Sequence, residues 1–156
     1  MKYFTYGSNL NIADLKKWSK KRDEEIPILK NPKITKLENY AIGFTRKSKE
    51  RGGGVAALIL NKGDFCYGVT FDTTENDFKI LDKKEGVKKD GAGAYERLEL
   101  ENGVITYKVR VKDADFIQPS EEYLNIIIDG ARNYNLPSKW IKKLESFRNL
   151  SVSNNC

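Results

Sequence analysis

Histidine is absent from this 156-residue chain. Its absence excludes the Ser-His-Asp triad, the Cys-His pair, the HExxH zinc site and any imidazole base. Acid-base chemistry near neutral pH then falls to Asp, Glu, Lys, Tyr or Cys side chains. Carboxylates are the leading candidates among these, and we expect no bound metal.

Cysteines and long apolar runs are also scarce. Cys66 lies in an apolar, strand-like segment and Cys156 is the last residue, so the chain has no disulfide framework. No apolar run has the length of a signal peptide or a membrane span. We therefore expect a cytoplasmic protein without a membrane partner, built as one domain over residues 1–150 with a flexible tail over residues 151–156.

A net charge of +6 at neutral pH is one feature of proteins that bind nucleic acid. The lysines, however, are spread along the sequence in short groups such as Lys16-Lys17 and Lys142-Lys143. Spread of that kind is typical of solvated faces. We therefore predict no nucleic-acid partner.

A strand-to-helix turn near the N-terminus is the first candidate for a binding site. Strand-favouring residues run into Gly7, and the helix-capping residues Ser8 and Asn9 follow, just before an amphipathic segment at residues 12–20. Such a turn directs several backbone N–H groups into one small space, which suits a carboxylate or a phosphate. The alternative is a capped turn without a ligand, because Gly-Ser-Asn is common in turns.

The hydrophobic pattern predicts both strands and helices. Strands are expected at residues 2–6, 34–47, 55–60, 65–71, 95–100 and 104–111, with helices at residues 12–19, between Thr74 and Gly86, after Ser120 and after Ser138. Residues 23–32 are expected to be an irregular connection, and residues 61–64 a turn between two strands. Trp18 and Leu15 are assigned to the core. Asn102-Gly103 predicts a hairpin turn.

A glycine triplet, Gly52-Gly53-Gly54, precedes the strand at residues 55–60. The Lys-Ser/Thr pair of a phosphate-binding loop is missing, and a strand follows instead of a helix, so we reject a nucleotide site. We expect the glycines instead to permit close approach of the backbone to a neighbouring strand or a ligand.

Glu85 is the candidate acid-base residue. Thr74 and Asp77 have the spacing of a capping box, and the helix that they begin carries Glu85 in its last turn before Gly86. There a carboxylate faces the negative end of the helix dipole, so burial would raise its pKa further, as a general acid-base glutamate requires. The alternative is a solvated Glu85 whose charge is offset by nearby lysines, namely Lys83, Lys84 and Lys88.

With these segments in order, the chain resembles the gamma-glutamylcyclotransferase family, which includes AIG2-like proteins. Four blocks carry the resemblance and together span most of the chain: Tyr6-Gly7-Ser8-Asn9-Leu10, Gly53-Gly54-Val55-Ala56, Leu81-Asp82-Lys83-Lys84-Glu85-Gly86-Val87, and Pro119-Ser120-Glu121-Glu122-Tyr123 with Gly130-Ala131 and Leu136-Pro137.

The resemblance implies an α+β fold, a small mixed-sheet β-barrel surrounded by helices. It also implies the release of 5-oxoproline from a gamma-glutamyl amide, by attack of the substrate's α-amine on its γ-carbonyl, without a cofactor. Glu85 would be the catalytic acid-base residue. The implied substrate-binding residues are Tyr3, Phe4, Thr5, Tyr6, Gly7, Ser8, Asn9, Leu10, Gly53, Gly54 and Tyr123. The expected partner is a small gamma-glutamyl compound, and the protein is expected to be a monomer or homodimer.

The residues suit this chemistry by themselves. A carboxylate of raised pKa can take a proton from the α-ammonium and return it to the leaving nitrogen, and backbone N–H groups can bind the substrate's negative charges. We therefore expect the Glu85 carboxyl to share a cavity with the turn at residues 7–10.

Three features stay open. Val109 stands where members acting on gamma-glutamyl dipeptides often have an aromatic residue. Arg46 and Arg51 either bind a second substrate carboxylate or are exposed charges. A catalytically silent binding module and a hydrolase are the competing functions.

Overall fold

A five-stranded mixed sheet forms the centre of the structure, a computed structural model that describes residues 1–148 and 150. Its strands are β1 (Lys2–Thr5), β2 (Lys30–Ser48), β3 (Gly53–Asp72), β4 (Tyr95–Glu99) and β5 (Ile105–Val109). They lie in the order β2-β3-β1-β5-β4. Only β1 and β5 pair in parallel, and the other neighbours are antiparallel.

The sheet is open, which corrects the expected β-barrel. Closure would require β2 to pair with β4, and the described residues contain no such ladder. The lengths of the strands give the physical reason: β2 and β3 have 19 and 20 residues, whereas β4 and β5 have five each. The α+β class and the mixed sheet are confirmed.

Strands β2 and β3 form one long hairpin, so the predicted turn at residues 61–64 is wrong. Asn39 alone lies opposite residues 61–64, because the register shifts between Glu38 and Tyr40. The N–H of Gly63, at φ +89°, donates to Asn39 Oδ1 at 3.1 Å. Residues typical of a turn are thus held in a bulge within a continuous ladder. The same ladder begins at Lys30, inside the connection expected to be irregular.

In residues 1–148 and 150, four α-helices accompany the sheet: α1 (Ile12–Lys21), α2 (Glu75–Glu85), α3 (Glu121–Asn133) and α4 (Ser138–Glu145). Within the described residues, none of these helices has the length and apolar character needed to cross a bilayer. The capping box of Thr74 and Asp77, the stop at Gly86 and the Ser120 cap are confirmed. Asn11, rather than Ser8 or Asn9, caps α1, because Ser8–Leu10 form a short 3-10 helix of their own.

Close packing holds this 3-10 helix in place. Leu10 is fully buried, and Gly130 of α3 lies directly against the backbone of Leu10 and Asn11, where a Cβ atom on Gly130 would come within 2.6 Å of the Leu10 carbonyl carbon. Helix α3 and the core therefore fix the turn that follows β1. The hairpin of β4 and β5 is confirmed, with Gly103 at φ +74° in its turn.

The predicted tail at residues 151–156 lies outside the described residues.

Candidate active site

A cavity of about 300 Å³ opens where β1 ends. Its walls come from the 3-10 helix, the C-terminal end of α2 and the aromatic residues of neighbouring elements. Among the lining residues are Tyr3, Thr5, Tyr6, Gly7, Ser8, Asn9, Trp18, Arg46, Arg51, Lys84, Glu85, Gly86, Tyr95, Tyr107 and Tyr123. The volume is at the lower end of the range for small-molecule pockets.

Glu85 and the turn meet in this cavity, as the sequence predicted. Asn9 Nδ2 donates to Glu85 Oε1 at 2.9 Å and to the Tyr3 hydroxyl oxygen at 2.8 Å. Burial raises the pKa of Glu85 above its ordinary value of 4.5, and the positive charge of Lys84 and the Asn9 bond oppose this rise without cancelling it. Glu85 is therefore a half-buried residue of the cavity wall, whereas the alternative placed it in solvent.

Two backbone N–H groups of the turn are not used by the turn's own hydrogen bonds and can bind a ligand. Within the 3-10 helix, Leu10 N–H donates to the Gly7 carbonyl at 3.1 Å, and Asn11 N–H donates to the Ser8 carbonyl at 2.9 Å. The turn's own hydrogen bonds therefore use neither the Ser8 nor the Asn9 N–H group, and both residues line the cavity.

Two tyrosine hydroxyls that line the cavity bind the backbone of a single residue, Ala56. Ala56 N–H donates to the Tyr123 hydroxyl oxygen at 3.0 Å, and the Tyr95 hydroxyl donates to the Ala56 carbonyl at 2.7 Å. Burial raises the pKa of both tyrosines, so each hydroxyl keeps its proton at neutral pH. Since its oxygen accepts from Ala56, Tyr123 retains its proton for a ligand.

Basic side chains form a further part of the wall. The guanidinium of Arg51 donates to both carboxylate oxygens of Asp14, at 2.9 and 2.8 Å. The Lys84 side chain is only 5% exposed, and its ammonium donates to Ser8 Oγ at 3.3 Å. Arg51 is thus not the exposed charge of the open alternative, nor is Lys84 a solvated lysine. Arg46 also lines the cavity.

Trp18 is partly exposed and lines the cavity, which corrects its assignment to the core. Leu15 is 1% exposed, as expected of a core residue. A stripe of apolar residues on a helix marks a face that packs inward, but it does not distinguish the core from the wall of a cavity.

Four of the predicted substrate-binding residues do not reach the cavity. Phe4 points to the opposite face of β1, and Leu10 is in the core. Gly53 and Gly54 instead pack against another segment of the chain. A Cβ atom on Gly53 would lie 2.5 Å from the Gln118 carbonyl oxygen, and one on Gly54 would lie 2.0 Å from that of Ile117. The expected close backbone approach is confirmed, with a chain segment rather than a ligand.

Several lining residues carried no recognisable signal in the sequence. Tyr95 and Tyr107 lie on β4 and β5, and β5 reaches the site because it pairs with β1 at Tyr3 and Ile105. The alternation along the hairpin could have indicated that both tyrosines lie on one face. It could not have indicated which element of the fold lies next to that face. Val109 is not among the lining residues. Within the described residues, no group of three or more Cys, Asp or Glu is placed to hold a metal ion.

Comparisons with known proteins identify the family of this chain. The sequence pattern of the AIG2-like family matches residues 66–144, just over half of the chain. The gamma-glutamylcyclotransferases of Bos taurus and Mus musculus are each 28% identical to it over 159 residues, which cover 92% of this chain and 77% of each relative.

Solved structures share the fold. A gamma-glutamyl cyclotransferase superimposes with a TM-score of 0.74 at 24% identity, over 92% of this chain and 85% of that protein. YkqA from Bacillus subtilis superimposes with a TM-score of 0.73 at 25% identity, over 96% of this chain and 54% of YkqA. The sequence match and the shared architecture lead to one conclusion: this chain belongs to the AIG2-like family.

Proposed function

We propose that the protein is an enzyme of the gamma-glutamylcyclotransferase type, which releases 5-oxoproline from a gamma-glutamyl amide without a cofactor. The contact between Asn9 and Glu85 carries this proposal. It holds a carboxyl of raised pKa next to the turn whose backbone N–H groups suit a carboxylate. The two relatives named above bear the name of this activity.

Substrate binding comes first in the proposed reaction. The glutamyl group enters the cavity with its α-carboxylate on the N–H groups of the turn and its α-ammonium near the Glu85 carboxylate. Tyr123 lines the same cavity and offers the proton of its neutral hydroxyl to the γ-amide carbonyl. Holding the amine near the carbonyl removes most of the entropic barrier to ring closure, an effect worth several kcal/mol in general.

Ring closure follows from one proton transfer. Glu85 takes a proton from the α-ammonium, and the free amine attacks the γ-carbonyl carbon to form the new C–N bond. The carbonyl oxygen becomes an oxyanion, which hydroxyl and N–H donors stabilise. The raised pKa of Glu85 makes its carboxylate a better base than an exposed glutamate.

Glu85 then acts as the acid. Its carboxyl delivers the proton to the leaving nitrogen, the old C–N bond breaks and 5-oxoproline forms. The α-ammonium loses two protons in all, and both end on the departing amine. The regenerated Glu85 carboxylate takes the second proton from the ring nitrogen and passes it to the amine, which leaves as an ammonium. The carboxylate of Glu85 is regenerated, and no water molecule is consumed.

Incubating the purified protein with gamma-glutamyl dipeptides and gamma-glutamyl amines tests the reaction. We expect 5-oxoproline and one equivalent of free amine, with no oxygen from ¹⁸O-labelled water in the product. Free glutamate containing the label would establish hydrolysis instead. Saturable binding without any product would establish a silent binding module.

Replacing Glu85 by Gln tests the acid-base role. The amide cannot carry a proton between the two nitrogens, so we expect kcat to fall by about 10²–10⁴-fold. The melting temperature should stay within about 2 °C of the wild type, since the side chains have the same shape. Glu99→Gln, which removes an exposed carboxylate on β4, is the matched control. Wild-type activity in Glu85→Gln would refute the assignment.

Cytoplasmic location, the absence of a nucleic-acid partner and a monomeric or homodimeric state stay predictions.

A further inference from the structure

Lys84 is a buried cation whose hydrogen-bonding capacity is largely unused. Its side chain is 5% exposed, and within the part of the chain that the structure describes its ammonium makes one hydrogen bond, the 3.3 Å contact with Ser8 Oγ. Asp14 Oδ2 is 4.0 Å away, and both Asp14 oxygens already accept shorter bonds from Arg51. An ammonium carries three donors, and a buried charge is ordinarily paired closely. The site of Lys84 is therefore short of negative charge.

The pKa of Lys84 agrees with this shortage. Burial lowers it, the negative charges of Glu85 and Asp14 oppose the fall, and the positive charge of Arg51 adds to it, with a net pKa below the ordinary value of 10.5. An additional anion beside the ammonium would relieve the cost of burial.

The position of Lys84 matches one particular substrate group. Lys84 contacts Ser8, whereas the next residue, Glu85, contacts Asn9. Two adjacent residues at the end of α2 thus face two adjacent residues of the turn. In a glutamyl compound the α-carboxylate and the α-ammonium are attached to the same carbon atom. The protein groups that bind them must be neighbours, as Lys84 and Glu85 are.

Two arginines also line the cavity, and Arg51 is already paired. Arg51 holds Asp14 through two hydrogen bonds. The positive charge of Arg46 acts on Tyr95, whose pKa it lowers against the larger effect of burial. Lys84 is the lining cation that contacts the turn through Ser8.

We propose that the Lys84 ammonium binds the substrate's α-carboxylate, alongside the backbone of the turn, and so determines specificity for gamma-glutamyl compounds over amides that lack this carboxylate. The inference rests on the proposed function. It adds to the turn a charged side chain that distinguishes an α-amino acid from a simple amine. The short bond of a carboxylate to an ammonium replaces the long contact with Ser8.

Two matched substrates test this role. L-γ-Glutamyl-L-alanine and 4-aminobutanoyl-L-alanine share the amine, the amide and the leaving group, and only the former has the α-carboxylate. Lys84→Gln should raise KM for the former by about 10–100-fold, the range for a lost hydrogen bond to a charged group. For the latter, kcat/KM should change less than about threefold, since no charged contact is lost.

The comparison separates recognition from indirect effects. An altered pKa of Glu85 or a shifted turn in Lys84→Gln would reduce activity on both substrates by the same factor, and this equal loss would overturn the proposal. Lys84→Arg, which keeps the positive charge, should retain most of the preference for the glutamyl substrate. Lys83→Gln is the matched control, because Lys83 is the preceding residue and its side chain is 60% exposed.

Product binding gives a second measurement that does not require turnover. Calorimetry would compare 5-oxoproline with 2-pyrrolidinone, which lacks the carboxylate. We expect the wild type to bind 5-oxoproline at least about tenfold more tightly, and Lys84→Gln to remove most of that ratio. An unchanged ratio in the variant would refute the role of Lys84. A wild type that yields no 5-oxoproline from any substrate would refute the proposed function instead, and the binding ratio would still decide the role of Lys84.

Discussion

Helix α2 carries a carboxylate near each end, Asp77 buried and Glu85 half-buried in the cavity wall, and the two have opposite surroundings. Near the N-terminus, Asp77 Oδ1 accepts from Ile28 N–H at 2.9 Å, and Asp77 Oδ2 accepts from the Thr74 hydroxyl at 2.6 Å. Burial raises the pKa of Asp77, but the bonds from Thr74 and Ile28 outweigh it, so the net pKa lies below 3.8. The helix dipole favours a negative charge at this end.

At the C-terminus, Glu85 has far fewer donors. Among the described residues Asn9 is the one side chain that donates to Glu85, and burial raises the pKa of Glu85. The two carboxylates therefore differ in the number of hydrogen-bond donors that reach them. Where backbone and hydroxyl donors saturate the oxygens, the group stabilises the fold in its charged form; where they do not, the group stays able to exchange a proton.

The largest effect on stability is expected from Asp77→Ala. The substitution leaves Thr74 and the Ile28 N–H without their acceptors, and we expect a loss of about 2–3 kcal/mol in the free energy of unfolding. Urea denaturation measures it. Activity per folded molecule should stay within about twofold, because Asp77 lies at the other end of the helix from Glu85. A variant of normal stability would contradict the view that Asp77 is structural.

Gly86→Ala tests the end of the helix at Glu85. Gly86 adopts φ +68°. A Cβ there would lie at ordinary contact distances of 3.4 Å from the Ala94 Cβ and 3.9 Å from the Ala94 nitrogen, so the expected cost is backbone strain of about 1 kcal/mol. Because Gly86 ends the helix next to Glu85, kcat should fall too. Gly91→Ala is the control: Gly91 has φ +73° and an open environment. Equal activity of the two variants would show that the end of the helix does not position Glu85.

The smallest effect concerns the pH dependence of stability. The pKa of Glu85 is raised in the folded state, so between pH 4.5 and the folded pKa the folded state binds more protons than the unfolded state. The free energy of unfolding of the wild type therefore falls as pH rises through this window. Relative to the wild type, Glu85→Gln should therefore gain stability as pH rises through the window.

The contribution of Asp77 to stability has the opposite pH dependence. Its stabilising contribution is complete above pH 3.8 and falls as pH falls through its lower folded pKa. The penalty for Asp77→Ala should therefore shrink in acid. Denaturation curves at several pH values measure both trends, and parallel curves for the wild type and both variants would contradict the comparison.

Much of the fold was readable from short segments. The capping box of Thr74 and Asp77, the stop at Gly86 and the hairpin turn at Gly103 each depend on residues within a few positions of one another. The prediction of a turn at residues 61–64 was wrong for the converse reason. Its residues are typical of a turn, but the long ladder between β2 and β3 absorbs them into a bulge.

The candidate site was predicted only in part. Glu85 and the turn were recognised, whereas Trp18, Lys84, Tyr95 and Tyr107 were not. Their roles depend on contacts between distant segments, such as Lys84 with Ser8, 76 positions apart. A pattern of charged or apolar residues does not specify what lies opposite them.

The sequence by itself determined the excluded chemistry, the local caps and turns, and the acid-base candidate Glu85. These follow from residue types and from forces between near neighbours in the chain. The tertiary structure alone decided that the sheet stays open, that glycines 53 and 54 support a chain segment, and that Lys84 is buried beside the turn. Burial and hydrogen bonding across the sheet set these properties, because only the packed fold brings the distant segments together and removes water from between them.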